Sequence, residues 1–121
     1  MKSLEKYKVE FYVSDNGEIP VKEFLLSLDK KMRAKLIGIM DILEDYGNQL
    51  REPYSKSLGD GIFEIRGKVG TDITRVLYFF YHEKRIVFTN GFIKKTDKTP
   101  QGEIEKAKSY RQIFLRRESE R

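Results

Sequence analysis

The feature that most restricts the fold is a stretch of three β-rich segments separated by turn-forming residues. The segments run from Ile62 to Gly67, from Ile73 to Tyr81 and from Ile86 to Ile93, and β-branched and aromatic residues dominate the last two. Short turns at residues 67–70 and 82–84 separate the segments, and tight turns join antiparallel neighbours. The stretch therefore predicts three consecutive antiparallel strands with one face against a core.

The alternation within these strands predicts where the charged side chains lie. Phe63 and Ile65 point to one face of the sheet, and Glu64 and Arg66 point to the other. Arg75 shares its face with apolar neighbours in the middle strand, where a charge is unfavourable unless it reaches water or a partner. We expect Arg75 to open onto a concave surface that needs positive charge.

The residues before this stretch predict one more strand and two helices. Lys6–Val13 alternates charged and apolar groups, as a half-buried strand does. Pro20 suits the first position of one helix, and Asp29 suits the cap of a second helix. Gly47 predicts the end of that second helix. Apolar residues recur at helical spacing in both segments, which predicts an αα-hairpin packed on the sheet.

Residues 48–60 and 99–121 complete the predicted elements. Residues 48–60 are polar and predict a loop, although most charges in loops have no specific role. Three side chains of this loop could contact a ligand: Arg51, Tyr54 and Lys56. Thr99 predicts the cap and Pro100 the first residue of a last helix. One face of that helix is apolar or aromatic, at Ile104, Ala107, Tyr110 and Phe114.

These elements predict an α+β fold in the order β-α-α-β-β-β-α. We expect a small, mainly antiparallel sheet with the helices, the αα-hairpin and the C-terminal helix, on one face. The 121 residues suffice for one compact core, so we expect a single domain spanning 1–121.

Composition excludes several classes of site. The sequence has no cysteine, which excludes disulfides and thiol chemistry, and its one histidine, His82, excludes a histidine-rich metal site and a paired-histidine nuclease. Neither a glycine-rich phosphate loop nor a serine–histidine–acid set is present. The sequence shows no long apolar run and no signal-peptide pattern. We expect a soluble, cytoplasmic protein that needs neither a metal nor another cofactor and does not bind membranes.

The positive charge is concentrated in the last third of the chain. Residues 84–121 contain eleven Lys and Arg against five Asp and Glu, whereas residues 1–61 contain ten against eleven. Such an asymmetry indicates a polyanion or an acidic protein as the partner, or no more than a solvated basic helix.

Five basic residues converge in the predicted sheet. Arg66 and Lys68 lie on the first hairpin, Arg75 on the middle strand, and Lys94 and Lys95 at the end of the last strand. Guanidinium and ammonium groups can stabilise the negative charge that develops when the 2′-hydroxyl of RNA attacks the neighbouring phosphate. This reaction requires no metal, because the nucleophile belongs to the substrate.

Proton transfer in such a reaction requires a general base and a general acid. Glu64, Tyr110 and a lysine of lowered pKa are the candidates. Less specific interpretations exist for each group. Glu64 and Arg66 could form a surface salt bridge of little energetic value, Lys94 and Lys95 could only end a strand, and Tyr110 could only pack its helix.

Three segments resemble the RelE/ParE superfamily of toxins, and within it the phage-derived HigB-like branch. They are Gly61-Ile-Phe-Glu-Ile-Arg66, Thr74-Arg-Val-Leu-Tyr-Phe-Phe80 and the stretch from Phe88 to Ala107, which contains Gly91-Phe-Ile-Lys-Lys-Thr-Asp-Lys-Thr-Pro100. The resemblance covers nearly the whole chain. It implies the same β-α-α-β-β-β-α order and a ribosome-dependent mRNA endonuclease. It also implies an antitoxin encoded beside the toxin, usually a helix-turn-helix DNA-binding protein.

The resemblance also implies roles for individual residues. Arg75 corresponds to a mid-sheet arginine that holds the scissile phosphate, Arg66 to a basic residue of the preceding strand, and Lys95, with Lys94 beside it, to a basic residue after the last strand. Further contacts to RNA or the ribosome are expected from Lys68, Lys98 and Lys106.

The sequence departs from the family pattern at two positions. Glu64 stands where members with two basic residues on the first hairpin strand have one of them, and Gln101 lies near the place where some members carry a tyrosine. The ParE side inhibits DNA gyrase without this basic set, so gyrase inhibition is the alternative. A third possibility is a non-catalytic nucleic-acid-binding or phage regulatory module.

Overall fold

The fold was determined as a computed structural model that describes residues 6–121, which form five strands and three α-helices. The elements in chain order are β1 Lys8–Phe11, α1 Pro20–Ser27, α2 Lys30–Tyr46, β2 Ser55–Gly59, β3 Ile62–Val69, β4 Asp72–Tyr81, β5 Arg85–Ile93 and α3 Gln101–Ser119. A 3₁₀ turn, Gly47–Gln49, follows α2 directly. Within this part of the chain, no helix has the length and apolar character needed to cross a membrane.

The strands form one five-stranded sheet in the order β1-β5-β4-β3-β2. The pairs β2–β3, β3–β4 and β4–β5 are antiparallel, whereas β1 pairs with β5 in parallel at one edge. The α+β class is confirmed. The predicted order is wrong in lacking β2, and the parallel pair β1–β5 is the exception within the predicted mainly antiparallel sheet.

The strand β2 was missed because its sequence has no apolar alternation. It is a short, polar edge strand, and its backbone pairs with β3 from Ile62 to Ile65. Ser55 at its start is buried, and its hydroxyl lies 2.5 Å from the hydroxyl of Tyr78 in a hydrogen bond. Burial raises the pKa of Tyr78 to about 12. Backbone pairing and one polar contact therefore hold β2, and neither has a periodic sequence signal.

Helices cover both faces of the sheet, so the prediction of helices on one face is wrong. The helices α1 and α2 pack on Val76 and Tyr78 of β4, whereas α3 packs on Leu77 and Phe79. All four of these side chains are at most 2% exposed. A strand that is apolar on both faces requires cover on both, which the run of apolar residues in β4 already implies.

The helix ends follow the sequence signals except at α3. Pro20 is the first residue of α1, the Asp29 side chain accepts a hydrogen bond from the Met32 amide at 2.9 Å, and Gly47 ends α2. At the last helix the prediction is one residue off: Pro100 is the cap position and makes no side-chain cap bond. The Thr99 hydroxyl instead donates to the Glu64 carboxylate on β3.

An arginine between strands and helix fixes the C-terminal half of α3. Arg85 on β5 contacts Glu10 of β1 at 2.8 Å and Glu118 of α3 at 3.0 Å. The hydrogen bonds that Arg85 donates to both carboxylates raise its pKa above the usual range. Arg117 of α3 also donates to the Val13 carbonyl oxygen at 2.7 Å. These contacts fix the orientation of α3 on the sheet. They therefore also determine where the N-terminus of the helix lies.

Substituting Gly91 on β5 tests the packing between the sheet and α1. A Cβ atom at Gly91 would lie 2.7 Å from the Cε2 atom of Phe24, closer than packed atoms approach. We expect Gly91→Ala to lower the free energy of unfolding by about 1–3 kcal/mol, measured by urea denaturation. The control is Gly38→Ala in α2, where a Cβ meets nothing within 4 Å, and we expect stabilisation of about 0.5–1 kcal/mol. Equal effects of the two substitutions would contradict this packing.

Candidate functional site

A buried carboxylate lies at the centre of the candidate site. Glu64 on β3 is 2% exposed, so the interpretation of a surface salt bridge with Arg66 is wrong. Its Oε2 atom lies 3.2 Å from Nε of Arg75 and 3.7 Å from Nε of Arg66. Its Oε1 atom accepts the hydrogen bond from Thr99 at 2.5 Å. One side chain therefore connects β3, β4 and the start of α3.

Arg75 is the most deeply buried basic side chain of the site. It lies in β4 on the face covered by α3, is 4% exposed, and donates from Nη1 to the Thr74 carbonyl oxygen at 3.0 Å. Its buried Nε has no aligned hydrogen bond, although the Glu64 oxygen lies at ion-pair distance. Burial lowers the pKa of Arg75, the Glu64 carboxylate opposes that shift, and Arg66 adds to it. Glu64 is thus the partner that a charge on this strand requires.

The strand register brings the two arginines together. Arg66 of β3 and Arg75 of β4 are directly opposite in the antiparallel ladder, where like charges repel. Glu64 is two residues from Arg66 and therefore on the same face, within reach of both guanidinium groups. The side chain of Arg66 is 27% exposed, and its Nη1 atom lies 4.0 Å from the exposed carboxylate of Glu52. The Glu64 carboxylate therefore offsets the repulsion between the two arginines, while Arg66 stays accessible to solvent.

A hollow of about 340 Å³, here called the central hollow, opens over this cluster. Five basic side chains line it, Lys56, Arg66, Arg75, Lys94 and Lys98, and two acidic ones, Glu64 and Asp97. The lining also includes Gln101, the first residue of α3, and Thr99, two residues before it. The excess of basic groups in a concave surface makes it suited to bind an anion such as a phosphate. Four basic residues predicted for the site, Arg66, Arg75, Lys94 and Lys98, therefore lie together, and Lys56 of the predicted loop joins them.

A second hollow of about 550 Å³, here called the edge hollow, adjoins the central one. Arg66 and Arg75 line both hollows, and Lys68 lines the edge hollow only. The edge hollow forms where β2 stops pairing, since β2 covers β3 only from Ile62 to Ile65. Its other wall carries Lys35 of α2 and Tyr54.

The remaining predicted residues lie elsewhere. Lys95 is exposed and lines neither hollow, and Lys106 lies 3.9 Å from the Glu103 carboxylate on α3. Tyr110 stacks on Tyr12, with ring centroids 4.5 Å apart, in the core under α3. Tyr110 lines neither hollow, so its role as a general acid or base stays a prediction that its place in the fold does not support. Within residues 6–121, no three His, Cys, Asp or Glu side chains group as a metal site requires.

The loop residues divide between structural and site positions. Arg51 donates to the Asn48 carbonyl oxygen at 2.8 Å and lines neither hollow, whereas Lys56 lines the central hollow and Tyr54 the edge hollow. Sequence reasoning missed Lys35, because α2 was interpreted by its core stripe alone. A basic residue one position before the buried Leu36 gives no periodic signal of a site.

The chain matches a known protein family over most of its length. The family described as "Phage derived protein Gp49-like (DUF891)" matches residues 23–112, from α1 into α3. The matched range includes the candidate site from Lys35 to Gln101. No curated protein sequence matches the chain.

The pairing of Glu64 with Arg75 can be tested by stability. We expect Glu64→Gln to lower the free energy of unfolding by about 3–5 kcal/mol, because it leaves two close guanidinium groups without their buried counter-charge. Adding Arg75→Met should recover part of this loss, with a coupling energy of about 1–3 kcal/mol in a double-mutant cycle.

Urea denaturation of the four proteins measures this cycle. The control is Glu105→Gln, which removes an exposed carboxylate 3.7 Å from Lys108 and should change stability by less than about 1 kcal/mol. Additive effects of Glu64→Gln and Arg75→Met would show that the two side chains do not interact.

Proposed function

The chain belongs to the Gp49-like family of phage-derived proteins, within the RelE/ParE-like toxin superfamily, and on this premise we propose that it is the toxin of a type II toxin–antitoxin pair. We propose further that it belongs to the HigB-like branch and cleaves mRNA on the ribosome. The observation that carries this proposal is the central hollow. It brings Arg66, Arg75, Lys94 and Lys98 together around one concave surface that can bind a phosphate group.

The proposed reaction is transesterification by the RNA itself. The 2′-hydroxyl oxygen loses its proton to a base and attacks the adjacent phosphorus atom. The bond from phosphorus to the 5′-oxygen breaks, and that oxygen takes up a proton from an acid or from water. The products are a 2′,3′-cyclic phosphate and a 5′-hydroxyl. Negative charge grows on the phosphoryl oxygens and on the leaving oxygen, where Arg66, Arg75 and the lysines would stabilise it.

Glu64 fits two roles in this scheme. Its contacts with Arg75 and Arg66 hold both guanidinium groups in one orientation, which is a positioning role. It is also a carboxylate in the central hollow that could accept the proton of the 2′-hydroxyl, with the Thr99 hydrogen bond giving way. A basic residue at this position could not offset the repulsion between the two arginines.

The proposal includes partners. A basic hollow binds bare RNA mainly through counterion release, without selecting a site, so the ribosome would supply the positioning of the mRNA. The antitoxin, expected to be a helix-turn-helix protein, would present acidic groups to the basic C-terminal third of the chain. Both would be met in the cytoplasm.

The experiment uses Arg75→Lys, which keeps the charge beside Glu64 but loses the planar fork that binds phosphate. After induction in a bacterial host, we expect the wild-type protein to stop translation and to leave truncated mRNAs. Arg75→Lys should reduce the cleavage rate by about 10²–10³-fold, as loss of a transition-state donor does. Lys22→Ala, an exposed lysine on α1 outside both hollows, is the control and should keep full activity.

Urea denaturation of Arg75→Lys shows whether the variant is folded. A folded variant with wild-type cleavage would remove Arg75 from the mechanism. Loss of supercoiling with double-strand breaks in DNA would instead identify a ParE-like gyrase inhibitor. Growth arrest with intact mRNA and DNA would identify a non-catalytic module, and both outcomes would contradict the nuclease proposal.

A further inference from the structure

Tyr54 is an aromatic side chain that the fold leaves open to solvent. It is 40% exposed, and among residues 6–121 the other large apolar side chains with such exposure are aliphatic. Its backbone is held on both sides: its amide donates to the Arg51 carbonyl oxygen at 3.1 Å, and its carbonyl oxygen accepts from the Arg66 amide at 3.0 Å. The fold therefore fixes the backbone of this tyrosine beside Arg66 while leaving much of its side chain accessible.

The edge hollow beside Tyr54 combines apolar and positive surface. Ile39, Pro53 and Ile73 supply apolar contacts, and Lys35 and Lys68 add positive charge to that of the two arginines. In contrast to the central hollow, no acidic side chain lines it. An exposed aromatic ring in a positive groove is the arrangement by which proteins bind unpaired nucleotides, with the base stacked and the backbone held by cations.

The two hollows share two basic lining residues. Arg66 and Arg75 line both, so a phosphate held between them would have the edge hollow on one side and Lys94 and Lys98 on the other. The volume of the edge hollow, about 550 Å³, lies in the range of small-ligand sites. A single-stranded chain with one phosphate at the arginines would therefore place a neighbouring base close to Tyr54.

We propose that the edge hollow is a nucleotide subsite in which a base of single-stranded RNA stacks on Tyr54 and the adjoining phosphate contacts Lys35 and Lys68. The identification of the ligand as RNA rests on the proposed function. The subsite itself requires only binding, and Tyr54 takes no part in bond breaking. Stacking accepts every base, so the subsite would strengthen binding with little sequence preference.

The test measures binding without cleavage. The probe is a fluorescein-labelled single-stranded RNA of six nucleotides with 2′-O-methyl groups throughout, which removes the nucleophile. Fluorescence anisotropy gives the dissociation constant of the full chain. We expect Tyr54→Ala to raise this constant by roughly 5- to 100-fold, as loss of one stacked base does. Tyr54→Phe keeps the ring and should bind within about twofold of the wild type.

Salt dependence and an abasic probe separate stacking from charge. The ratio of the dissociation constants of Tyr54→Ala and the wild type should stay constant as the salt concentration rises, because stacking involves no counterions. Lys35→Ala should instead reduce the slope of log affinity against log salt concentration by about 0.7, the value for one phosphate contact on a single strand. A probe with the same backbone but no bases should bind the wild type and Tyr54→Ala equally. Tyr54→Ala binding the intact probe as tightly as the wild type would overturn the subsite, as would equal losses with the abasic probe.

Failure of the subsite is distinguishable from failure of the nuclease proposal. Loss of cleavage in Arg75→Lys with unchanged binding in Tyr54→Ala would leave the nuclease and remove the subsite. Weaker binding in Tyr54→Ala without any mRNA cleavage in the host would leave the subsite on a non-catalytic RNA-binding protein. Lys22→Ala serves as the matched lysine control for Lys35→Ala and should change neither the affinity nor its salt dependence.

Discussion

The candidate site depends on a carboxylate buried between two arginines. Antiparallel pairing puts Arg66 opposite Arg75, an arrangement that repulsion and burial both disfavour. Glu64 is 3% exposed at its side chain and contacts both guanidinium groups, so it makes the arrangement tolerable. Such a pair contributes little net stability compared with apolar packing, but removing one partner is strongly unfavourable. The sheet is thus built around a charged cluster that suits anion binding better than stability.

The same carboxylate connects the cluster to the rest of the fold. The Thr99 hydroxyl bonds to Glu64, which fixes the start of α3 over β3, and the Arg85 contacts fix its far end. The helix therefore crosses one face of the sheet, and its N-terminal end forms part of the central hollow. On the other side β2 begins only at Ser55, opposite Ile65, and leaves the end of β3 uncovered at the edge hollow. A short strand and a tethered helix together give one binding surface with the arginines in its middle.

Sequence reasoning recovered what has a periodic or local signal. The alternation in β3 and β4 assigned the faces correctly, and Asp29 and Gly47 marked the ends of α2, because these signals are read within a few residues. It failed where the position of a side chain depends on a contact with a residue far away in the sequence. The hydroxyl of Thr99 turns to Glu64, 35 residues away, instead of capping its own helix. Likewise the position of Lys35 in the same hollow as Tyr54 depends on how α2 lies on the sheet. The strand β2 was missed for another reason: it pairs with β3, its neighbour in the sequence, but it has no apolar alternation.

The measurement that tests the account most directly is the chemistry of the cut ends of mRNA recovered from ribosomes exposed to the protein. An arginine cluster acting on a substrate that supplies its own nucleophile predicts fragments with a 5′-hydroxyl and a 2′,3′-cyclic or 3′-phosphate. It also predicts that a single 2′-deoxy substitution at the cleaved nucleotide abolishes the cut. Fragments with a 5′-phosphate and a 3′-hydroxyl, or cleavage that survives the deoxy substitution, would contradict it.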